Sequence, residues 1–312
     1  MDIAIIQKGV LMVIFIIVAV MLILWFSAGY IVFSIAIKSK SNKSIVFGEH
    51  KELAKIEREY NWISNVTERT VLSADDLSLH CYEYINNDNG NFCILIHGYG
   101  GQASNMVDQM DHFIDLGYNV VAVDLRGHGK SEGKYYGLGY LDKDDIAIWI
   151  KEIKENYHCY NIVIYGISMG GATAIMTGGL GIENVSAIIS DSAPSDFASM
   201  FSRILKYKVG TFFGWFIIKS LVLFVKCFAG YSLRDASSIN SMPLITVPVL
   251  LIHGSKDGFV PPVMMEMLYN CCTSKKTKLT VDEADHTQSS RTDPIKYWDT
   301  IKRFLYDVCE KR

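Results

Sequence analysis

The five residues Gly166-Ile167-Ser168-Met169-Gly170 restrict the fold of this chain more than any other stretch of it. They follow directly on the apolar run Ile162 to Tyr165. They lead into Gly171-Ala172-Thr173-Ala174-Ile175-Met176, a small-residue run compatible with a helix. A strand must therefore turn sharply into a helix within a few residues. The turn is so tight that a Cβ on either flanking residue would clash with the strand or the helix, so glycine is required on both sides. It lifts the Ser168 hydroxyl above the sheet edge and sets it at a helix N-terminus, where the dipole favours developing negative charge. Ser168 is thus the candidate nucleophile. Gly-x-Ser-x-Gly alone recurs by chance in many chains; the flanking strand and helix give it weight.

Other short, continuous apolar runs share the character of Ile162 to Tyr165. They are Phe92 to Ile96, Val120 to Val123, Ala187 to Ile189 and Val249 to Ile252. Such runs suit parallel strands buried on both faces. Helical stretches such as Tyr140 to Asn156 fit between them, and Pro294 opens a final patterned helix to Val308. Thr70 to Ser73 and Ser78 to Ile85 alternate like a hairpin around Ala74-Asp75-Asp76. The fold class expected is α/β, a mostly parallel sheet with helices on both faces. Half of the 312 residues are apolar, enough for a sizeable core. The net charge of −3 gives no reason to expect a nucleic-acid partner.

A serine hydroxyl is a poor nucleophile at neutral pH. It needs an imidazole to take its proton, and the imidazole needs a carboxylate to fix its tautomer. In the strand–turn–helix context these follow the serine in the order acid, then histidine. Val249 to Ile252 runs into His253-Gly254-Ser255-Lys256-Asp257, which puts Asp257 in a loop past a strand end. Strand-like Thr277 to Val281 then leads to Asp285-His286. Asp257 and His286 are the expected acid and base. Asp282, Glu283 and Asp285 lie too close in sequence to His286 to sit easily behind its ring.

The developing oxyanion needs two backbone N–H groups. One falls to Met169, directly after the serine, and the other to Tyr99 in His97-Gly98-Tyr99-Gly100-Gly101. His97 reads as a structural residue of that loop. Asp124-Leu125-Arg126-Gly127-His128 reads as structural too, with Asp124 and Arg126 pairing to lock a glycine-rich loop. His128 precedes the serine and is out of order for a base. Seven cysteines, an odd number without a Cys-x-x-Cys pair, read as mostly buried thiols. They do not cluster with histidines as a zinc site requires. No metal and no organic cofactor is expected.

The N-terminus is of a different kind. Gly9 to Ile37 carries no charge. A bilayer core of about 30 Å needs about 20 apolar helical residues, so this run spans with tilt and exceeds a signal-peptide core of about 7–15. Lys38, Lys40 and Lys43 follow it, which favours a cytoplasmic C-terminal domain. The expected organisation is an N-terminal flank at 1–8, a transmembrane anchor at 9–37 and a juxtamembrane connector at 38–68. A core in two parts follows, at 69–193 and 241–312, interrupted by a helical lid at 194–240. Lys219 and Lys226 weigh against a second span in the apolar stretch Phe212 to Phe228. Trp215 and Phe216 are the lid residues expected to meet an apolar substrate. A chain beginning near Ser44 is expected to fold and work alone.

Taken as a set, His97 to Gly101, Asp124 to Ser131, Gly139-Tyr140, Asp142 to Trp149, Gly166 to Gly171, Ser190-Asp191, His253 to Pro261 and Asp285-His286 resemble one family. They resemble bacterial α/β-hydrolase-fold serine hydrolases of the serine-aminopeptidase-like and lysophospholipase-like kind, from about Glu68 to the C-terminus. The resemblance implies an eight-stranded sheet, a Ser–Asp–His triad and a lid between strands six and seven. The expected activity is hydrolysis of a small-molecule or lipid-like ester through an acyl-enzyme. A peptidase or an acyltransferase would share the whole site. A catalytically idle, membrane-tethered binding module is the reading from a different class.

Overall fold

In the computed structural model residues 3–39, 66–86 and 88–310 are described. Most of the expected connector, residues 40–65, lies outside the described residues.

Eight strands form one sheet: β1 (Val66–Leu72), β2 (Ser78–Tyr84), β3 (Asn91–Ile96), β4 (Asn119–Val123), β5 (Asn161–Ile167), β6 (Val185–Asp191), β7 (Val249–Gly254) and β8 (Lys276–Val281). Their order is β1-β2-β4-β3-β5-β6-β7-β8. β1 and β2 make the expected antiparallel hairpin and β2 also runs antiparallel to β4. The remaining neighbours are parallel. β4, β6 and β7 are buried along their whole length, which explains their unbroken apolar character.

Helices cover both faces. Besides the N-terminal α1 (Ile3–Ala36) they include α2 (Val107–Asp115), α3 (Asp142–Asn156), α4 (Met169–Gly178), α5 (Phe197–Val209), α6 (Thr211–Phe224), α7 (Val263–Cys271) and α8 (Pro294–Leu305). α3, α4 and α7 pack on one face around Trp149, Ile164 and Leu251. α2 and α8 pack on the other around Phe113, Tyr165 and Tyr297. Asp293 caps α8 by accepting the Lys296 N–H, and Pro294 fills its first turn.

The interruption falls between β6 and β7, where α5 and α6 form a helical hairpin. Gly210 makes its turn at φ +85°, a conformation that favours glycine. By length and composition, two stretches are apolar enough to cross a membrane: Gln7–Ala36 and Thr211–Ala229. The two pack on each other. Trp25 meets Phe216, Gly29 lies against Ser220, and Phe33 meets Phe224 and Phe228. These contacts climb both segments together, so α6 runs along α1 in the same direction. A Cβ on Gly29 would sit 2.0 Å from Ser220 Oγ. The small residues are what allow the backbones to approach so closely.

The end of α1 is also built into the core. Phe33, Ala36 and Ile37 are 0% exposed. Tyr136 N–H donates to Ile37 O at 2.8 Å, Ser39 N–H to Lys134 O at 3.0 Å, and the Tyr99 hydroxyl to Ala36 O. The last turn of α1 therefore packs with the core, and a chain beginning near Ser44 would lack these contacts. Hydropathy shows that a run is apolar, not which apolar surface covers it. Phe33→Ala is expected to cost roughly 3–5 kcal/mol, the usual loss for a buried Phe. The full chain and a chain lacking residues 1–43 should be compared by scanning calorimetry in one detergent. Equal melting temperatures would show that the end of α1 contributes nothing to the core.

Candidate active site

Ser168 sits between β5 and α4 with φ +56° and ψ −115°, a conformation rarely adopted by a residue with a side chain. Its neighbours explain the flanking glycines. A Cβ on Gly166 would lie 2.1 Å from Gly170 O, and one on Gly170 would lie 2.1 Å from Ile96 O. No side chain fits at either position. Two backbone hydrogen bonds hold the strained turn: Ser168 N–H donates to Asp191 O at 2.8 Å, and Ala172 N–H to Ser168 O at 3.0 Å.

Three of the expected residues are brought together from three loops. Ser168 Oγ lies 2.9 Å from His286 Nε2, and His286 Nδ1 lies 2.7 Å from Asp257 Oδ2. With Asp257 ionised, Nδ1–H must be the donor to it, which leaves Nε2 free to accept the serine proton. Asp257 Oδ1 accepts the Phe259 and Val260 N–H groups at 3.0 and 2.8 Å. Burial alone would push its carboxyl up. Hydrogen bonds from His253 and His286 more than offset this and hold its pKa at about 2. The stability this gives is fully present above the unfolded value of about 3.9. It is lost as the pH falls through about 2.

The rival carboxylates lie elsewhere. Asp285 accepts the Gly258 and His286 N–H groups, clamping the loop rather than backing the imidazole. Glu283 faces Lys256 at 3.7 Å. His97 holds its own loop, with Nδ1 on Gly98 O at 2.7 Å and Nε2 accepting the Leu125 N–H at 3.1 Å. Gly98 lies against Ser168, with room between them for little more than a Cβ. This brings the Tyr99 loop beside the elbow, while Met169 supplies the first amide of α4. His128 Nε2 accepts the Gly100 N–H, its Nδ1 meets Arg126 O, and its ring stacks on Tyr136.

Asp124 and Arg126 do not pair with each other as expected. Asp124 accepts from His80, Ala103 N–H and Lys130 N–H. Arg126 forks onto Asp145 and Asp75. Both still lock the loop, Asp124 partly through the Lys130 amide of that loop, and both through partners distant in sequence. Trp215 and Phe216 are not gathered beside the serine either. Phe216 lies edge-on to Trp25 of α1, and its carbonyl accepts Trp25 Nε1–H at 2.6 Å. Trp215 carries the Lys219 ammonium 3.4 Å from its ring centroid. An apolar helix settles on the nearest apolar surface, and here that surface is α1.

Sequence reasoning missed three neighbours of the site. His253 is fully buried. Its Nε2 lies 3.1 Å from Asp257 Oδ2 and 2.9 Å from Val260 O. Its position four residues before Asp257 was the available signal. Phe259 packs its ring 5.0 Å from that of His286. Asp191, at the end of β6, accepts from Tyr297 and Ser192, and burial pushes its carboxyl up.

A mostly parallel sheet with a strained serine elbow and an imidazole–carboxylate relay at its C-terminal edge defines an α/β-hydrolase fold. Residues 88–227 match the model of the family described as serine aminopeptidase, S33, and residues 198–288 match that of the serine hydrolase FSH1 family. The chain is 27% identical over 277 residues to the uncharacterized protein YqkD of Bacillus subtilis (strain 168), covering 86% of this chain and 88% of the relative. It is 23% identical over 244 residues to the uncharacterized membrane protein YNL320W of Saccharomyces cerevisiae, covering 76% and 78%. Among solved structures, the esterase Pf2001 of Pyrococcus furiosus superposes with a TM-score of 0.64 at 25% identity, covering 78% of this chain and 91% of that one. The chain thus has the α/β-hydrolase fold, and the families and solved structures it is similar to are serine hydrolases and esterases.

Proposed function

We propose that this chain is a membrane-anchored serine esterase that cleaves a small-molecule or lipid-like carboxylic ester with an apolar acyl group. The observation that carries the reading is the relay Ser168 Oγ–His286 Nε2–Asp257 Oδ2, with links of 2.9 and 2.7 Å at a strained elbow. In the proposed reaction, His286 Nε2 takes the Ser168 proton as Oγ attacks the ester carbonyl. The resulting oxyanion is held by the Tyr99 and Met169 N–H groups. Collapse breaks the ester bond, and the alcohol leaves with the proton from His286. Water, deprotonated by the same nitrogen, then releases the acid and restores the hydroxyl. Asp257 holds the ring in the required tautomer throughout.

Membrane anchoring rests on the apolar helix Gln7–Ala36, and the lysines that follow it favour a domain on the cytoplasmic side. The apolar acyl preference rests on the composition of the lid and on the concentration of acyl chains at a bilayer. Each buried CH₂ adds about 0.8 kcal/mol, roughly fourfold in binding. For p-nitrophenyl esters, kcat/KM is expected to rise from acetate to at least octanoate. A profile that peaks at acetate and declines steadily would rule out the acyl preference. A fluorophosphonate probe should label the full chain at Ser168, and absence of labelling would rule out the esterase itself.

A further inference from the structure

The α5–α6 hairpin encloses an open groove of about 710 Å³. Four cationic side chains line it: Arg203 and Lys206 from α5, Lys219 from α6, and Arg234 from the segment after the hairpin. No acidic residue lines it. Among the described residues, Lys206, Lys219 and Arg234 have no carboxylate partner. Like charges sharing one groove repel, so the arrangement is held at a cost that an anion would relieve. Ser199 and Ser202 add hydroxyls, and Ile218 and Val222 give one wall an apolar character. Cations, hydroxyls and an adjoining apolar wall match a phosphate joined to a hydrocarbon.

The surroundings favour a lipid as the source of that phosphate. Residues 218, 219 and 222 of α6 line the groove, while Phe216, Ser220 and Phe224 lie on α1, the candidate membrane span. One helix therefore presents one face to the span and another to the cations. Phe212, Phe213, Trp215 and Leu223 of the same helix are exposed. Lys219 rests over the Trp215 ring, an aromatic–cation pairing suited to the boundary between headgroups and acyl chains. The groove also abuts the active site. Arg203 donates to Phe259 O at 3.1 Å and to Gly258 O at 3.4 Å, and the Phe259 ring faces His286.

We propose that this groove binds the phosphate of an anionic phospholipid headgroup, with Arg203, Lys206, Lys219 and Arg234 as its ligands. The inference rests on the membrane-anchored reading and adds to it a headgroup chemistry beside the catalytic loop. A basic groove next to an apolar helix is a general means of holding anionic headgroups, each cation adding about 1 kcal/mol, or roughly fivefold.

The test uses the full chain in a nonionic detergent, titrated with phosphatidylglycerol, phosphatidylcholine or inorganic phosphate and followed by native mass spectrometry. Saturable phosphatidylglycerol binding is expected, at least about tenfold tighter than phosphatidylcholine. The variant K206Q/K219Q/R234Q should weaken it by at least about tenfold, and the charge-keeping K206R/K219R should retain it. Equal affinity for the two lipids overturns the proposal. So does undiminished phosphatidylglycerol binding by the folded triple variant. Inorganic phosphate binding as tightly as the lipid makes the site a free-phosphate site and overturns the lipid assignment. Should the triple variant fail to fold, the lipid comparison on the unaltered chain and loss of binding in K206R/K219R each decide the matter. Alkaline carbonate extraction of membranes reads the anchor separately, so its failure is distinguishable from failure of the groove.

Discussion

Replacing Ser168 with alanine is expected to lower kcat by about 10⁴–10⁶ while leaving the fold intact. The hydroxyl makes the one bond of the proposed reaction that no other group near the relay can make. Its Oγ is 2.9 Å from His286 Nε2, and an alanine leaves that nitrogen with no proton to take. The fold should survive because the strain at φ +56° belongs to the backbone and is the same for alanine. The backbone hydrogen bonds from Ser168 N–H to Asp191 O and from Ala172 N–H to Ser168 O are also untouched. Turnover of p-nitrophenyl butyrate and far-ultraviolet circular dichroism should be measured on the same preparation. A folded variant keeping more than about a tenth of the activity would remove Ser168 from the mechanism, because loss of a triad nucleophile is never so mild.

Asp257→Asn is expected to lower the rate by about 10⁴, as tautomer loss does in other triads. The carboxylate accepts His286 Nδ1–H and approaches His253 Nε2 with the same oxygen, while its other oxygen takes two loop amides. A carboxamide has a single oxygen for all of these. If it serves the Phe259 and Val260 amides, its NH₂ faces His286 and forces the proton to Nε2, where it blocks acceptance from the serine. Some stability goes too, since an ionised group held at about 2 is replaced by a neutral one. The assay therefore belongs well below the variant's melting temperature. Asp285→Asn serves as the control, because Asp285 only accepts the Gly258 and His286 N–H groups and should cost far less. If the Asp285 variant is the more damaged, Asp257 is not the acid.

Much of this protein was determined by local sequence. The elbow was legible because its glycines answer short-range clashes: Gly166 against Gly170, and Gly170 against the end of β3. The buried strands were legible because a strand covered on both faces must be apolar throughout, and the final helix because Pro294 marks its start. The chain order of serine, acid and histidine then pointed to Asp257 and His286, which the sheet's C-terminal loops bring within hydrogen-bond reach.

The tertiary structure alone decided which partners satisfy groups that sequence can only mark as needing one. Arg126 takes Asp145 and Asp75 rather than nearby Asp124, because α3 and the β1–β2 turn converge on it. Asp257 gains a second histidine because β7 places His253 beside it. The apolar helix α6 of the lid packs on α1, and Phe33 and Ile37 complete the core, because apolar surface is covered by whatever apolar surface the fold brings near. Hydrophobic burial is non-directional, so a sequence records the demand for cover and only the packed chain decides what supplies it.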